Sequence, residues 1–160
     1  MIKEIQITDD MRQWADRKAF LLGELNNSII RGAGSLAGYL GEKIVVDVLG
    51  GSHQNTFDYD LTLGDGTTVD VKTKQVSSPP RDYYSCSVAK FNAKQNCDSY
   101  AFVRIKNDFT IGWYLGKIAK DEFFKVSTEH KKGEVDPDNG FVFRADCYNL
   151  PISMLEASNE

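Results

Sequence analysis

The sequence is poor in the residues that build disulfide frameworks and zinc sites. It has 3 cysteines, which stand at wide spacings as Cys86, Cys97 and Cys147. An odd number of cysteines without any C-x-x-C pair argues against a disulfide framework. The 2 histidines, His53 and His130, also stand alone. A zinc site is therefore not expected, and the thiols are interpreted as ordinary buried or surface side chains.

Long apolar segments, repeats and low-complexity segments are also missing. No run of the sequence approaches the roughly 20 apolar residues that a membrane-spanning helix needs. The N-terminal stretch MIKEIQITDDMRQW lacks the basic start and the apolar segment of a signal peptide. These absences predict a cytoplasmic protein with no membrane partner.

The rest of the composition is that of an ordinary globular protein. The chain has 160 residues, of which 41% are hydrophobic and 26% are charged. This length can bury a core without disulfides or a structural metal, and it predicts a single domain over residues 1–160. The order of the predicted elements indicates the α/β class, with one mixed sheet and a C-terminal strand and helix extension.

The first predicted helix follows a capping signal near the N-terminus. Thr8 or Asp9 is a suitable N-cap, and the helix should end at about Leu25. We expect Trp14 and Phe20 to be its buried anchors.

A second helix is predicted after a loop over residues 26–34. Ser35 is a good N-cap for this helix and Gly50 a good stop. Gly38 and Gly41 inside it lower the helix propensity by roughly 1 kcal/mol each relative to Ala. Such glycines would permit close packing of the backbone or close approach of a ligand.

After residue 51 the periodicity changes to that of strands. The sequence predicts strands over 57–63, 67–74, 83–88, 100–105 and 141–148, a hairpin over 108–115, and short helices over 88–96 and 119–126. The two prolines in the segment QVSSPPRD should break the sheet after the second of these strands. A polar loop is expected over 127–140.

Charge is distributed unevenly along the middle of the chain, although the formal net charge is only -4. Residues 42–70 carry a net charge of -5, and residues 71–106 carry a net charge of +5. The acidic block would hold cations and the basic block would meet phosphates. Chance clustering on solvated faces explains the charges equally well when they are considered alone.

The turn between the first two predicted strands determines which acidic side chains lie together. If Gly64, Asp65 and Gly66 form a three-residue turn, Asp60 lies directly opposite Asp70, with Cβ atoms about 5 Å apart. Asp58 then lies opposite Lys72 on the same face of the hairpin. A two-residue turn would instead place Asp60 and Asp70 on opposite faces.

Facing carboxylates repel each other, and a divalent cation would remove the repulsion. Mg²⁺ prefers one or two carboxylates together with waters and substrate phosphate. Glu42 is a further acid, in an apolar stripe of the second predicted helix, where an unpaired charge is costly. Taken singly, each of these acids is more commonly a solvent-facing residue; the combination with Lys72 predicts a site.

The segments GEK, FDYDL and VDVKTK together resemble the PD-(D/E)XK nuclease superfamily. Its restriction-endonuclease-like core of helix, three strands, helix and strand matches the plan predicted over about residues 35–106. By this resemblance Asp60 is the lone aspartate of the motif, Asp70 the D/E residue, Lys72 the lysine and Glu42 the helix acid. Tyr59 stands where the motif has proline. The segments GWYLGKIAKDEF and YNLPISML resemble small nuclease-fold proteins of bacteriophages.

The resemblance implies an Mg²⁺-dependent (or Mn²⁺-dependent) deoxyribonuclease that binds DNA and hydrolyses its phosphodiester bonds. Glu42, Asp60, Asp70 and the carbonyl of Val71 would be the metal ligands, and Lys72 would orient the attacking water. Paired cuts on duplex DNA would favour a homodimer.

Other polar residues stand near the motif without a fixed role. Asp58 competes with Asp60 for the place of the hairpin ligand. Gln75 would touch a metal-bound water or a phosphate, and Lys74 would line a DNA groove with neighbouring aromatic residues. The commoner interpretation of Gln75 is that of a residue at the end of a strand.

Two other functional classes remain open. One is a catalytically inactive protein of the same fold that acts as a DNA-binding module. The other is a protein-binding module of a phage or mobile element, which the net charge of -4 over residues 107–160 would suit. The sequence does not distinguish endonuclease from exonuclease, or single-stranded from duplex or branched substrates.

Overall fold

The computed structural model describes residues 2–25, 33–54, 56–136 and 140–156. Three α-helices occur in these ranges: α1 (Asp9–Leu25), α2 (Ala33–Leu49) and α3 (Lys120–Val126). The strands in the same ranges are β1 (Lys3–Gln6), β2 (Ser52–His53), β3 (Leu61–Thr62), β4 (Thr68–Val76), β5 (Ser85–Ala89), β6 (Ser99–Lys106), β7 (Ile111–Ala119), β8 (Thr128–His130) and β9 (Cys147–Pro151). Short 3-10 helices cover Lys90–Lys94 and Ile152–Met154.

The strands form one large mixed sheet and one small antiparallel sheet. The large sheet has the order β1-β7-β6-β4-β3-β2, and the small sheet has the order β5-β9-β8. Strands β4 and β6 are parallel, whereas the other pairs of the large sheet are antiparallel. The predicted α/β class with a mixed sheet is therefore confirmed.

The central strand β6 shows how the two faces of the large sheet are covered. Ala101, Val103 and Ile105 belong to a buried cluster with side chains of α1 and α2. Tyr100 and Phe102 point to the other face, where they belong to a cluster with α3 and the small sheet. This alternation with a period of two places apolar cores on both sides of the sheet.

The α1 helix was largely predicted by its sequence signals. It spans Asp9–Leu25, and the Thr8 hydroxyl caps it by accepting a hydrogen bond from the Met11 N–H at 3.2 Å. Trp14 is half-buried against the core, but the prediction for Phe20 was wrong, since its side chain is exposed.

The prediction that Ser35 caps α2 was also wrong, because this helix already begins at Ala33. Gly50 does follow its last residue, with a φ of 79° that favours glycine. The predicted loop over 26–34 lies outside the described residues except for positions 33 and 34, which are helical. No helix in the described ranges has both the length and the apolar character needed to cross a membrane.

Several strand predictions were wrong. The predicted strand over 141–148 is a strand only from Cys147, in β9, and the polar loop predicted over 127–140 contains β8. The segment 57–63 forms a strand only at Leu61–Thr62, and the segment 83–88 contributes β5 to the small sheet instead of a third strand to the large one. Proline has no N–H to donate to a ladder, so the segment with two prolines directs the chain out of the large sheet. The predicted helix over 88–96 is a 3-10 helix, and β1 was not predicted.

Candidate metal and catalytic site

The hairpin of β3 and β4 has the register predicted from a three-residue turn. Leu61 pairs with Val69, and Thr62 pairs with Thr68. The ladder ends at the next residue, because the Asp60 N–H donates to the carbonyl of Val69 at 2.9 Å. Strand β4 stays paired with β6 past this point, but its other edge is open where β3 has turned away.

The carboxyl group of Asp60 fills this open edge. Its Oδ2 accepts a hydrogen bond from the Val71 N–H at 2.8 Å. The N–H and C=O of one strand residue point to the same side, so the Val71 carbonyl also faces the edge occupied by Asp60. Asp60 thus reaches the site in the plane of the sheet, and it does not stand across the ladder from Asp70.

Asp70 and Lys72 project from the same face of β4 and form an ion pair. Asp70 is only 4% exposed, and Lys72 Nζ lies 2.7 Å from its Oδ2. No well-oriented hydrogen bond reaches this buried oxygen from any residue of the described ranges. The ammonium group of Lys72 is the ionic partner of this oxygen, and since a carboxylate oxygen has two lone pairs, the second can still accept a donor or bind a cation.

Gln95 is a buried residue that connects both members of this pair. Its Oε1 accepts a hydrogen bond from Lys72 Nζ at 2.8 Å, and its Nε2 lies 3.3 Å from Asp70 Oδ1. The same Nε2 donates to the carbonyl of Phe57 at 2.6 Å. Gln95 was missed from the sequence, because nothing in the local pattern distinguishes it from a solvent-facing glutamine.

Glu42 is brought to β4 by the glycine that precedes it in α2. A Cβ atom built on Gly41 would lie 1.9 Å from Thr73 Oγ1, so only glycine allows the helix to pack this closely on the strand. Its neighbour Glu42 is half-buried, and it interacts electrostatically with Asp70. The acid from the helix therefore lies near enough to the hairpin for its pKa to respond to the charge of Asp70.

The electrostatics show that Glu42, Asp60 and Asp70 form one cluster. Burial, followed by the charge of Asp70, raises the pKa of Glu42 to about 8. Burial, the charges of Glu42 and Asp70, and a hydrogen bond with the Asp70 carboxyl raise the pKa of Asp60 to about 9, against the opposing hydrogen bond from Val71. If all three carboxyl groups were deprotonated, their negative charges would repel one another, and a cation would offset this repulsion.

His53 is a second residue whose role the sequence did not reveal. Its side chain lies on β2 and is only 9% exposed, and its Nε2 lies 2.5 Å from Glu42 Oε1. The ring also contacts Trp14 edge-to-face, with centroids 4.8 Å apart. Burial, followed by the charge of Lys18, lowers the pKa of His53 to about 4. Glu42 thus has a neutral imidazole as its neighbour near neutral pH.

The remaining sequence candidates lie around the cluster. Asp58 does not face Lys72, because β3 ends at Leu61; its Oδ1 accepts a hydrogen bond from the Asn96 N–H at 3.0 Å. Gln75 is three residues beyond Lys72 on β4 and therefore points to the opposite face. Lys74 shares the face of Lys72 and lines a neighbouring cavity.

The cluster has the chemistry of a site for a hard cation, but its side chains are turned to protein partners. In the described ranges, no three His, Cys, Asp or Glu side chains are arranged so that they could hold a metal ion. Asp60 faces the Val71 N–H, Asp70 faces Lys72, and Glu42 faces His53.

In the comparisons with known proteins, no family model matches this chain and neither does any curated protein.

Proposed function

We propose that this protein is a metal-dependent nuclease that hydrolyses phosphodiester bonds of DNA. The observation that supports it best is the meeting of three carboxyl groups, from Glu42, Asp60 and Asp70, beside the ammonium group of Lys72. Such a set combines ligands for a divalent cation with a fixed cation that is not a ligand. Phosphodiester hydrolysis needs both, because negative charge grows on the phosphate oxygens during the reaction.

Glu42, Asp60, Asp70 and the Val71 carbonyl are the proposed ligands of Mg²⁺ or Mn²⁺. The fit rests on the buried Asp70 Oδ2, which keeps a second lone pair beyond its 2.7 Å contact with Lys72 Nζ, and on the raised pKa values of the other two acids. All four donors are oxygen atoms, which magnesium prefers. When bound, the metal ion would neutralise charge at the scissile phosphate and at the leaving oxygen.

Lys72 is proposed to orient the attacking water. In the hydrolysis, the water oxygen bonds to phosphorus, and the bond from phosphorus to one bridging oxygen breaks. An ammonium group can donate hydrogen bonds both to that water and to a phosphate oxygen. Gln95 and Asp70 hold Lys72 from two sides, so its Nζ is positioned before substrate binds.

The order of elements around the site also supports the proposal of a restriction-endonuclease-like core. After α2, the strands β2, β3 and β4 form an antiparallel series, and β6 is then added parallel to β4. The superfamily core places a helix before the last strand. Here β5 and the 3-10 helix Lys90–Lys94 occupy that place in the chain.

The proposal is tested by incubating plasmid DNA and single-stranded DNA with the protein, with and without Mg²⁺. Wild type should cleave only with the metal, and Mg²⁺ should raise its melting temperature by mass action on the folded state. Asp70→Asn should lose both effects. Asp16→Asn, on the exposed face of α1, is the matched control and should keep both.

Two results would overturn the proposal. The first is DNA binding without cleavage by the wild type under any divalent metal, which is the behaviour of an inactive module of the same fold. The second is an equal metal-induced rise of the melting temperature in wild type and Asp70→Asn, which would remove Asp70 from the ligands.

A further inference from the structure

A cleft lies between the large sheet and the small sheet, next to the proposed cleavage site. Its volume is about 610 Å³, which is within the range of small-molecule sites. Its lining includes the basic residues Lys74, Arg104 and Arg144, the acid Asp136, and the aromatic residues Tyr83 and Phe141. Three of these are cationic and one is acidic, so the lining favours an anionic ligand.

A buried cation without a carboxylate partner is the first feature that points to a ligand. Arg104 is only 7% exposed, and it donates a hydrogen bond to the Ser85 carbonyl at 3.0 Å. Its guanidinium carbon lies 5.3 Å from the centre of the Tyr84 ring. No ion pair joins Arg104 to an acid within the described ranges. A buried charge of this kind is costly unless an anion compensates it.

A second cation stands directly beside the first. Lys74 of β4 is the register partner of Arg104 on β6, and both side chains line the cleft. Burial and the charge of Arg104 lower the pKa of Lys74. The two like charges repel each other, and a phosphate group between them would replace this repulsion with two attractive contacts.

Exposed aromatic rings border the same cations. Tyr83 is 68% exposed and Phe141 is 49% exposed, and both line the cleft. Aromatic side chains that accompany cations in a groove are the features on which unpaired bases stack. Together the rings and the cations match the two halves of a nucleotide, which are an apolar base and a charged phosphate.

The cleft shares two of its cations with a cavity that reaches Lys72. A smaller cavity of about 210 Å³ is lined by Lys72, Lys74 and Arg104 together. Lys72 and Lys74 are two residues apart on β4, so they point to the same face and stand about 6.6 Å apart along the strand. A DNA strand whose scissile phosphate lies at Lys72 would therefore place its neighbouring phosphate at Lys74.

We propose that this cleft binds an unpaired nucleotide of single-stranded DNA, with its phosphate between Lys74 and Arg104 and its base against Tyr83 or Phe141. A base inside a duplex has both faces covered by its neighbours, so it cannot stack on a protein ring without leaving the helix. The inference rests on the proposed function only because it assumes that the scissile phosphate lies at Lys72. The nucleotide site itself requires no cleavage.

Binding is measured by fluorescence anisotropy in EDTA, with a fluorescein-labelled oligothymidylate and a labelled hairpin duplex of equal length. The oligothymidylate should bind more tightly than the hairpin. Lys74→Gln and Tyr83→Ala should each weaken its binding about tenfold. The matched controls are Lys125→Gln and Phe91→Ala, which change an exposed lysine and an exposed aromatic ring outside the cleft and should bind as wild type does.

Three results would overturn the inference: tighter binding of the hairpin, wild-type binding by both cleft variants, or competition by polyglutamate as strong as that of unlabelled oligothymidylate at equal charge. Both cleft side chains are exposed, so these variants should fold, which melting curves verify. The two proposals also fail separately. If the cleft variants bind more weakly but the wild type never cleaves DNA, the nuclease proposal is wrong and the cleft proposal stands. If the wild type cleaves DNA but the cleft variants bind as tightly as the wild type does, the cleft proposal is wrong and the nuclease proposal stands.

Discussion

Gly41 of α2 and Thr73 of β4 are in direct contact, and the contact leaves no room for a side chain at position 41. A Cβ atom there would lie 1.9 Å from Thr73 Oγ1 and 3.0 Å from Thr73 Cβ. The adjacent residue in the helix is Glu42, whose carboxyl group belongs to the acidic cluster. The glycine therefore couples the packing of the helix to the position of a proposed metal ligand.

Gly41→Ala should consequently destabilise the protein and reduce its activity. The added methyl group must push α2 away from β4, which typically costs about 1–3 kcal/mol in a well-packed core. Gly38→Ala is the matched control in the same helix, because a Cβ at position 38 meets no atom within 4 Å. That control should be stabilising by roughly 0.5–1 kcal/mol. Urea unfolding of both variants checks the difference, and equal effects would contradict the packing.

A second prediction concerns the pH dependence of stability without metal. The folded-state pKa values of Glu42 and Asp60 are raised to about 8 and about 9, so the folded state holds more protons than the unfolded state. Stability should then fall as pH rises. His53 has a lowered pKa of about 4 and gives the opposite trend, but only below its ordinary value of 6.5. The decline should therefore be clearest between about pH 6.5 and pH 8.

Urea unfolding in EDTA across this pH range measures the decline. Glu42→Gln and Asp60→Asn should each flatten it, whereas Asp47→Asn, an exposed acid on α2, should leave it unchanged. Addition of Mg²⁺ should reduce the decline, since the metal binds the deprotonated carboxylates. Stability that rises with pH over this interval in EDTA would mean that the acids are not held together.

The hairpin illustrates what local sequence can predict. The turn at residues 64–66 left two registers open, and its three-residue form gave the observed one, in which Leu61 pairs with Val69. The local sequence did not predict the position of Asp60, which lies outside the strand ladder and accepts a hydrogen bond from the Val71 N–H. The point at which β3 ends depends on the tertiary contacts of the preceding segment, and no periodicity encodes them.

Gln95 and His53 show the same limit more strongly. Neither residue belongs to a recognisable sequence pattern. Gln95 joins the site through its contact with Lys72, and His53 joins it through its contact with Glu42. The small sheet is a further case, because β5 pairs with β9, some 60 residues later in the chain. Such long-range pairing is decided by the packing of whole elements, which a reading of neighbouring residues does not capture.

Gln95→Ala should lower the cleavage rate by impairing the position of Lys72. The variant removes the acceptor of the Lys72 hydrogen bond and leaves the Phe57 carbonyl without its donor. A loss of about 1–3 kcal/mol in stability should accompany the change. The diagnostic result is a lower kcat with little change in KM, measured at a temperature where the variant is fully folded. A change confined to stability would make Gln95 a structural residue only.

The most direct test of the nuclease proposal is single-turnover DNA cleavage by Lys72→Met with saturating Mg²⁺. Methionine keeps much of the aliphatic stem of the side chain and removes the ammonium group, whose Nζ lies 5.7 Å from the centre of the Tyr100 ring. Cleavage should fall by about 10²- to 10³-fold, while the metal-induced rise in melting temperature remains, because Lys72 is not a ligand. The matched control Lys125→Met, on the exposed surface of α3, should cleave at the wild-type rate. Wild-type cleavage by a folded Lys72→Met protein would contradict the proposed role of this site.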